Sequence, residues 1–204
     1  MGGGTVVTVW AVSVALLAFV MAATPGPNNV LFAASGARQG YVRTIPLLGG
    51  MTLGFAVLIA ACVTGVGGLV AGQPWSRVVL TAVASAYMAY LAVALWRAGP
   101  PEGARDGRRR LMSWWQMALF QVVNPKTWLA ILAFVSGKLG PNSPGGVWID
   151  VTGSVLFLAV VWVSASLWTA FGAVLHAGSG PARWAVTTKV MAVLAALTIV
   201  TFWL

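Results

Sequence analysis

Two short polar clusters sit inside apolar runs: Thr24-Pro25-Gly26-Pro27-Asn28-Asn29 and, about 100 residues later, Asn124-Pro125-Lys126. Proline removes a helix hydrogen bond and glycine loosens the backbone, so each cluster should break the helix that carries it. A broken helix has something to offer a ligand. The half-helix starting after Pro27 presents free N–H groups and its positive dipole end, which suit a carboxylate, with Asn28 and Asn29 adding neutral amides. Carbonyls released before the breaks, near Ala22–Thr24 and Gln121–Val123, suit an ammonium. Together they describe a pocket for a zwitterion.

Lys126 is the cation of this constellation. A lysine at mid-span costs roughly 2.5–3.5 kcal/mol to insert, and it normally seeks a carboxylate. The chain has three acids, Glu102, Asp106 and Asp150, none of them near the middle of an apolar run. Lys126 must therefore meet carbonyls, water or the negative group of a ligand, and it is the candidate both for binding substrate and for carrying a proton. Simpler roles stand beside these. Lys126 can satisfy carbonyls freed by Pro125 or snorkel to an interface, the asparagines can cap helices, and Gln121 can make an interhelical bond.

The elements that must position these residues follow from composition. Of 204 residues, 59% are hydrophobic and 7% charged, against about 25% charged in soluble domains. This is an all-α integral membrane protein. At about 20 residues per span, the spans fall at 5–23 (running on past the break to about 37), 44–71, 76–96, 113–136, 148–175 and 184–203. Six transmembrane helices result, with helices 1 and 4 broken at Pro25-Gly26-Pro27 and Asn124-Pro125. They form a single transporter domain of two halves, 1–97 and 113–204, joined by a basic loop at 98–112. Three helices per half give the halves opposite orientation, the inverted-topology arrangement in which paired broken helices mark a transport site.

The net charge of +9 belongs to loops rather than to a nucleic-acid surface. With loop 98–112 in the cytoplasm, Arg38, Arg43, Arg97, Arg105, Arg108, Arg109, Arg110 and Arg183 share its side, and Arg77 and Lys138 fall on the other. Both termini are then outside the cytoplasm. Tryptophans near span ends, among them Trp10, Trp75, Trp96, Trp114, Trp115, Trp148, Trp184 and Trp203, read as an interfacial belt. Gly50-Met51-Thr52-Leu53-Gly54 and Gly68-Leu69-Val70-Ala71-Gly72 are GxxxG patterns for close helix packing, within the chain or in a homodimer. Gly49 beside Gly50 is placed to let the second helix approach the Pro25 break. One cysteine, Cys62, and one histidine, His176, exclude an intrachain disulfide and a metal site built on either residue type; no cofactor is expected.

The first cluster, followed by Gly40 and Gly49-Gly50-Met51-Thr52-Leu53-Gly54-Phe55, resembles the signature region of the LysE/RhtB family of amino-acid exporters. Trp114 to Lys126, with Ala118-Leu119-Phe120-Gln121-Val122-Val123-Asn124-Pro125-Lys126, resembles its second signature. The Asn-Asn and Gly-Met-Thr-Leu-Gly-Phe wording is most similar to the cysteine/O-acetylserine branch. The resemblance implies proton-driven efflux across a bacterial inner membrane. Many relatives carry an acid where Asn28 stands, which argues against lysine or arginine as cargo and for neutral amino acids, including homoserine- or threonine-like ones. Pro25, Gly26, Pro27, Asn28, Asn29, Gln121, Asn124, Pro125 and Lys126 are the expected substrate-binding residues, with Gly49, Gly50 and Gly54 packing nearby. The rivals are an ion exporter of the same superfamily, which would need mid-span acids or sulfur ligands, an intramembrane enzyme, for which no Ser/His or paired-acid set lies at matching depth, and a non-transporting scaffold.

Overall fold

A computed structural model describes residues 3–24, 26–65, 73–97, 111–139, 143–176 and 181–203. Its described elements are α1 (Gly3–Ala23), α2 (Pro27–Gln39), α3 (Tyr41–Val63), α4 (Pro74–Trp96), α5 (Trp114–Val123), α6 (Pro125–Lys138), α7 (Gly146–His176) and α8 (Pro181–Trp203). Among the described residues, four helices are long and apolar enough to cross a membrane, the stretches Gly4–Ala23, Tyr41–Val63, Val78–Trp96 and Gly146–Leu175. A fifth span arises if α5 and α6, bent by 71° at Asn124, count as one.

The breaks fall where the prolines put them. Pro27 opens α2 at a position where its missing N–H costs nothing, and Pro125 opens α6 in the same way. Pro25 lies outside the described residues. Helix α2 ends at Gly40, whose φ of 82° and ψ of 167° fall in a region open essentially to glycine alone; one residue thus turns α2 into α3. The second helix is shorter than its apolar run suggested. It stops at Val63, where Thr64 and Gly65 (φ 89°) make a turn. The glycine pattern at 68–72 and the basic stretch 98–110 lie outside the described residues.

Helix α2 is the buried piece, and it packs most heavily on α7. Small residues set that approach. A Cβ on Gly36 would meet the carbonyl of Thr169, and one on Gly172 the carbonyl of Ala33. The same device joins α3 to α5: a Cβ on Gly50 would meet the Trp114 carbonyl, and one on Gly54 would lie 2.6 Å from the Ala118 oxygen. Lipid gives no hydrophobic drive between helices, so backbone contact of this kind is what holds a bundle. Further pairs are α1–α7, α3–α7, α4–α8 and α2–α8. Helix α1, by contrast, has only 17% of its apolar window buried and presents most of its surface outward.

Two sequence expectations are corrected here. Gly49 is exposed and a Cβ there would meet nothing within 4 Å: it lies about 100° around the helix from Gly50, so only one of the pair faces a neighbour. Gly50 and Gly54 are used inside the chain, against α5, and are not free for a homodimer. Among the tryptophans, Trp75, Trp96, Trp114, Trp115 and Trp148 are exposed, as a belt requires, but Trp10 is buried, its indole N–H donating to the Lys138 carbonyl at 2.9 Å.

Candidate functional site

The first break is held together by side chains rather than left open. Asn29, buried at the start of α2, donates from Nδ2 to the carbonyls of Ala22 and Thr24, both at 2.9 Å. Ser164 of α7 donates to the same Ala22 carbonyl at 3.0 Å. The Thr24 hydroxyl turns back onto Val20 and Met21. Backbone freed in a bilayer needs partners of this kind.

The second break closes differently. The Asn124 side chain accepts from the Lys126 N–H at 3.1 Å, and the Asn124 carbonyl accepts from Thr127 and Trp128. Trp128 Nε1 donates to the Val122 carbonyl at 2.7 Å. The N-terminus of α6 is therefore capped by its own loop. That of α2 is not: Gly26 offers no side-chain cap, and the Asn28 main-chain N–H has no acceptor among the described residues.

Across the break, the two halves exchange bonds. Asn28 and Gln121 form a reciprocal amide pair, Nδ2 to Oε1 at 3.0 Å and Nε2 to Oδ1 at 3.2 Å. Gln121, fully buried, also donates to the Met117 carbonyl and accepts from the Thr127 hydroxyl at 2.9 Å. Asn124 reaches Asn28 Oδ1 at 3.4 Å. Lys126 Nζ crosses to the first break, donating to the Thr24 carbonyl and, at 2.9 Å, to its hydroxyl. Gly26 makes room for it, since a Cβ there would lie 2.8 Å from Lys126 Cδ and Nζ.

These residues border a cavity of about 40 Å³, lined on its polar side by Gly26, Pro27, Asn28, Asn29, Asn124, Lys126 and Thr127, and otherwise by Met21, Ala22, Met51, Phe55, Ala130, Phe157, Val161 and Ala165. At roughly 10–15 Å³ per water, that space holds a few waters. Gln121 and Pro125 stand behind the wall: Gln121 is fully enclosed and Pro125 is buried as the first residue of α6.

Residues 19–204 match the family profile described as LysE type translocator. The chain belongs to the LysE family. Similar proteins include the "Cysteine/O-acetylserine efflux protein" of Salmonella choleraesuis (strain SC-B67), 30% identical over 143 residues that cover 70% of this chain and 71% of that one. The protein of the same description from Escherichia coli (strain K12) is 29% identical over equal coverage. No solved structure matches the chain. Membership in the LysE family makes it a membrane transport protein of an amino-acid efflux family and not an enzyme.

In this LysE protein four of the carbonyls expected to greet an ammonium are taken. Ala22 and Thr24 are satisfied by Asn29, Ser164 and Lys126, and Gln121 and Val122 by Asn124 and Trp128. Lys126, in turn, serves a carbonyl freed at the other break. Two participants escaped the sequence reading: Thr127 anchors Gln121 and Ser164 closes the first break, whereas Thr24, whose carbonyl was expected to meet an ammonium, receives that of Lys126. The Pro125-Lys126-Thr127 adjacency was a usable signal for Thr127; nothing local marks Ser164, which lies 142 residues from its partner.

Proposed function

We propose that this chain exports small uncharged amino acids or close derivatives, of the cysteine and O-acetylserine kind, from the cytoplasm across the bacterial inner membrane. The supporting observation is the convergence on one cavity of an α2 N-terminus without a side-chain cap and the Lys126 ammonium from the other half of the chain. The substrate carboxylate takes the Asn28 N–H and the Lys126 ammonium, where the helix dipole favours it. Its ammonium is met by Asn29 Oδ1, a lining side chain whose oxygen has no donor among the described residues. The side chain faces Met51, Phe55, Ala130 and Val161, an apolar wall suited to a short, neutral group. The present cavity is smaller than any amino acid, so loading widens it.

The transport cycle uses six spans, α1 with α2 and α5 with α6 each forming one broken span. The halves 1–97 and 113–204 run in opposite directions, the end with Arg38, Arg43 and loop 98–112 lies in the cytoplasm, and both termini lie outside. Exchanging the halves turns the α1–α7 pairing into α3–α5 and maps α3–α7 and α4–α8 onto themselves, which supports related halves, while α1–α6 and α2–α3 have no counterpart of similar extent. Rocking one half against the other exposes the site outward, coupled to a proton for which Lys126 is the carrier. An ion exporter fits less well, because no carboxylate is among the described lining residues.

The test is uptake into inverted vesicles under a pH gradient, with a panel of cysteine, O-acetylserine, threonine, homoserine, lysine and arginine. The expected outcome is uptake of small neutral members and at least a tenfold loss in Lys126→Met. Wild-type-like uptake by that variant removes Lys126 from both roles. A chain that neither transports nor gains thermal stability with any amino acid is a scaffold, and the export reading then fails.

A further inference from the structure

Along the helix axes the cavity is bounded by different materials at its two ends. Toward Gln39 and His176 the seal is main chain on main chain, with Gly36 and Gly172 carrying α2 and α7 into backbone contact. Those helices can open only by parting as rigid bodies. Toward Lys138 and Gly146 the seal is a layer of rings. Phe55 of α3 and Phe157 of α7 both line the cavity, with centroids 6.3 Å apart, and Phe157 stacks on Phe134 of α6 at 4.6 Å. All three are buried, Phe134 and Phe157 completely.

The rings sit across the way out. Thr127, Ala130 and Phe134 follow α6 away from its break, and Ala165, Val161 and Phe157 follow α7 backwards in the same direction. Lys126 to Phe134 and Ala165 to Phe157 are each eight residues, about 12 Å along a helix axis. Beyond the rings, α1, α6 and α7 meet where Trp10 bonds Lys138 and presses on Gly153. Side-chain rotation opens such a layer without moving a helix, which the glycine seam at the other end does not allow.

We infer that Phe157, braced by Phe55 and Phe134, is the exit-side barrier of the transport path, a thin gate opposed to the thick α2–α7 seal. This rests on the exporter reading for its purpose, though not for its test. Rings wide enough to block a few waters also block a short side chain, so release outward requires Phe157 to swing aside while α2 and α7 stay together.

The experiment places one cysteine in the cavity, Ala130→Cys in a Cys62→Ala background, and measures its modification by a membrane-impermeant thiosulfonate from each face separately, in intact cells and in inverted vesicles. Adding Phe157→Ala should speed labelling at least tenfold from the face bearing Lys138 and Gly146, and leave the rate from the Arg38 face unchanged. Phe171→Ala, on the exposed side of α7 against Trp168, should change neither. If Phe157→Ala does not yield a monodisperse protein, Phe157→Leu replaces it, with an acceleration of several fold expected from the same face. No acceleration, or equal acceleration from both faces, overturns the gate. Face-specific acceleration in a protein that moves no amino acid keeps the gate and discards the substrate reading; export with no acceleration does the reverse.

Discussion

The amide bridge between Asn28 and Gln121 is the sharpest place to test whether the two breaks are joined. Gln121→Met keeps length and volume and removes four hydrogen bonds, two with Asn28, one to Met117 and one from Thr127. The Met117 carbonyl keeps its helical partner and loses little. Thr127 is 2% exposed, so its stranded hydroxyl costs about 1–3 kcal/mol, less whatever it recovers by turning onto its own helix. Asn28 is half-buried, still has Asn124 and lines the cavity, which limits its loss to about 0.5–1.5 kcal/mol. The expected destabilisation is roughly 2–4 kcal/mol. Asn28→Leu leaves Gln121 with Met117 and Thr127 and should cost about 1–2 kcal/mol. Because the two residues share bonds, the double variant should be more stable than additivity allows, by about 1–2 kcal/mol. Equilibrium unfolding in detergent micelles of the wild type, both singles and the double measures this. A coupling within about 0.3 kcal/mol of zero would show that the bridge between halves is not energetically real.

Two substitutions separate site from scaffold. Gly26→Ala adds a methyl where Lys126 lies, while φ of −170° is extended backbone that alanine accepts; the flexible lysine yields, stability changes by about 1 kcal/mol or less, and substrate affinity, read by ligand-induced thermal shift, falls at least tenfold. Gly172→Ala drives a Cβ into the Ala33 carbonyl, which cannot yield without parting α2 from α7; a loss of about 2–3 kcal/mol or more in the same unfolding assay is expected, and a near-neutral result would mean that the two helices are not in backbone contact.

What was legible in the sequence was whatever depends on local chemistry. Prolines beside Gly26 and Asn124 marked the start of α2, expected near Asn28 and found at Pro27, and that of α6 at Pro125, although proline alone does not end a helix here, since Pro46 lies inside α3. Glycine spacing announced a close approach but not its phase: only the fold tells Gly50, against α5, from Gly49, facing away. Length of an apolar run overstated α3, because Thr64 and Gly65 are compatible with a span yet turn the chain here. Partners across the breaks were invisible. The sequence shows that Lys126 lacks an acid, but the carbonyl of Thr24 is 102 residues away, and a serine among apolar neighbours looks alike whether it packs or, as Ser164 does, donates to a severed helix. The burial of Trp10 had no signal either, since indoles at span ends share one sequence pattern whether they face headgroups or a carbonyl such as that of Lys138.

The lysine that reaches back to Thr24 also sets an order of assembly. A ribosome that has just made the Thr24 turn must add 102 more residues before Lys126 exists, and 142 separate Ala22 from Ser164. During that interval the carbonyls at the end of the first helix have only Asn29 as a companion from nearby sequence. The amino-terminal break is thus completed by residues that emerge late, and its last bonds close only after most of the polypeptide has been made.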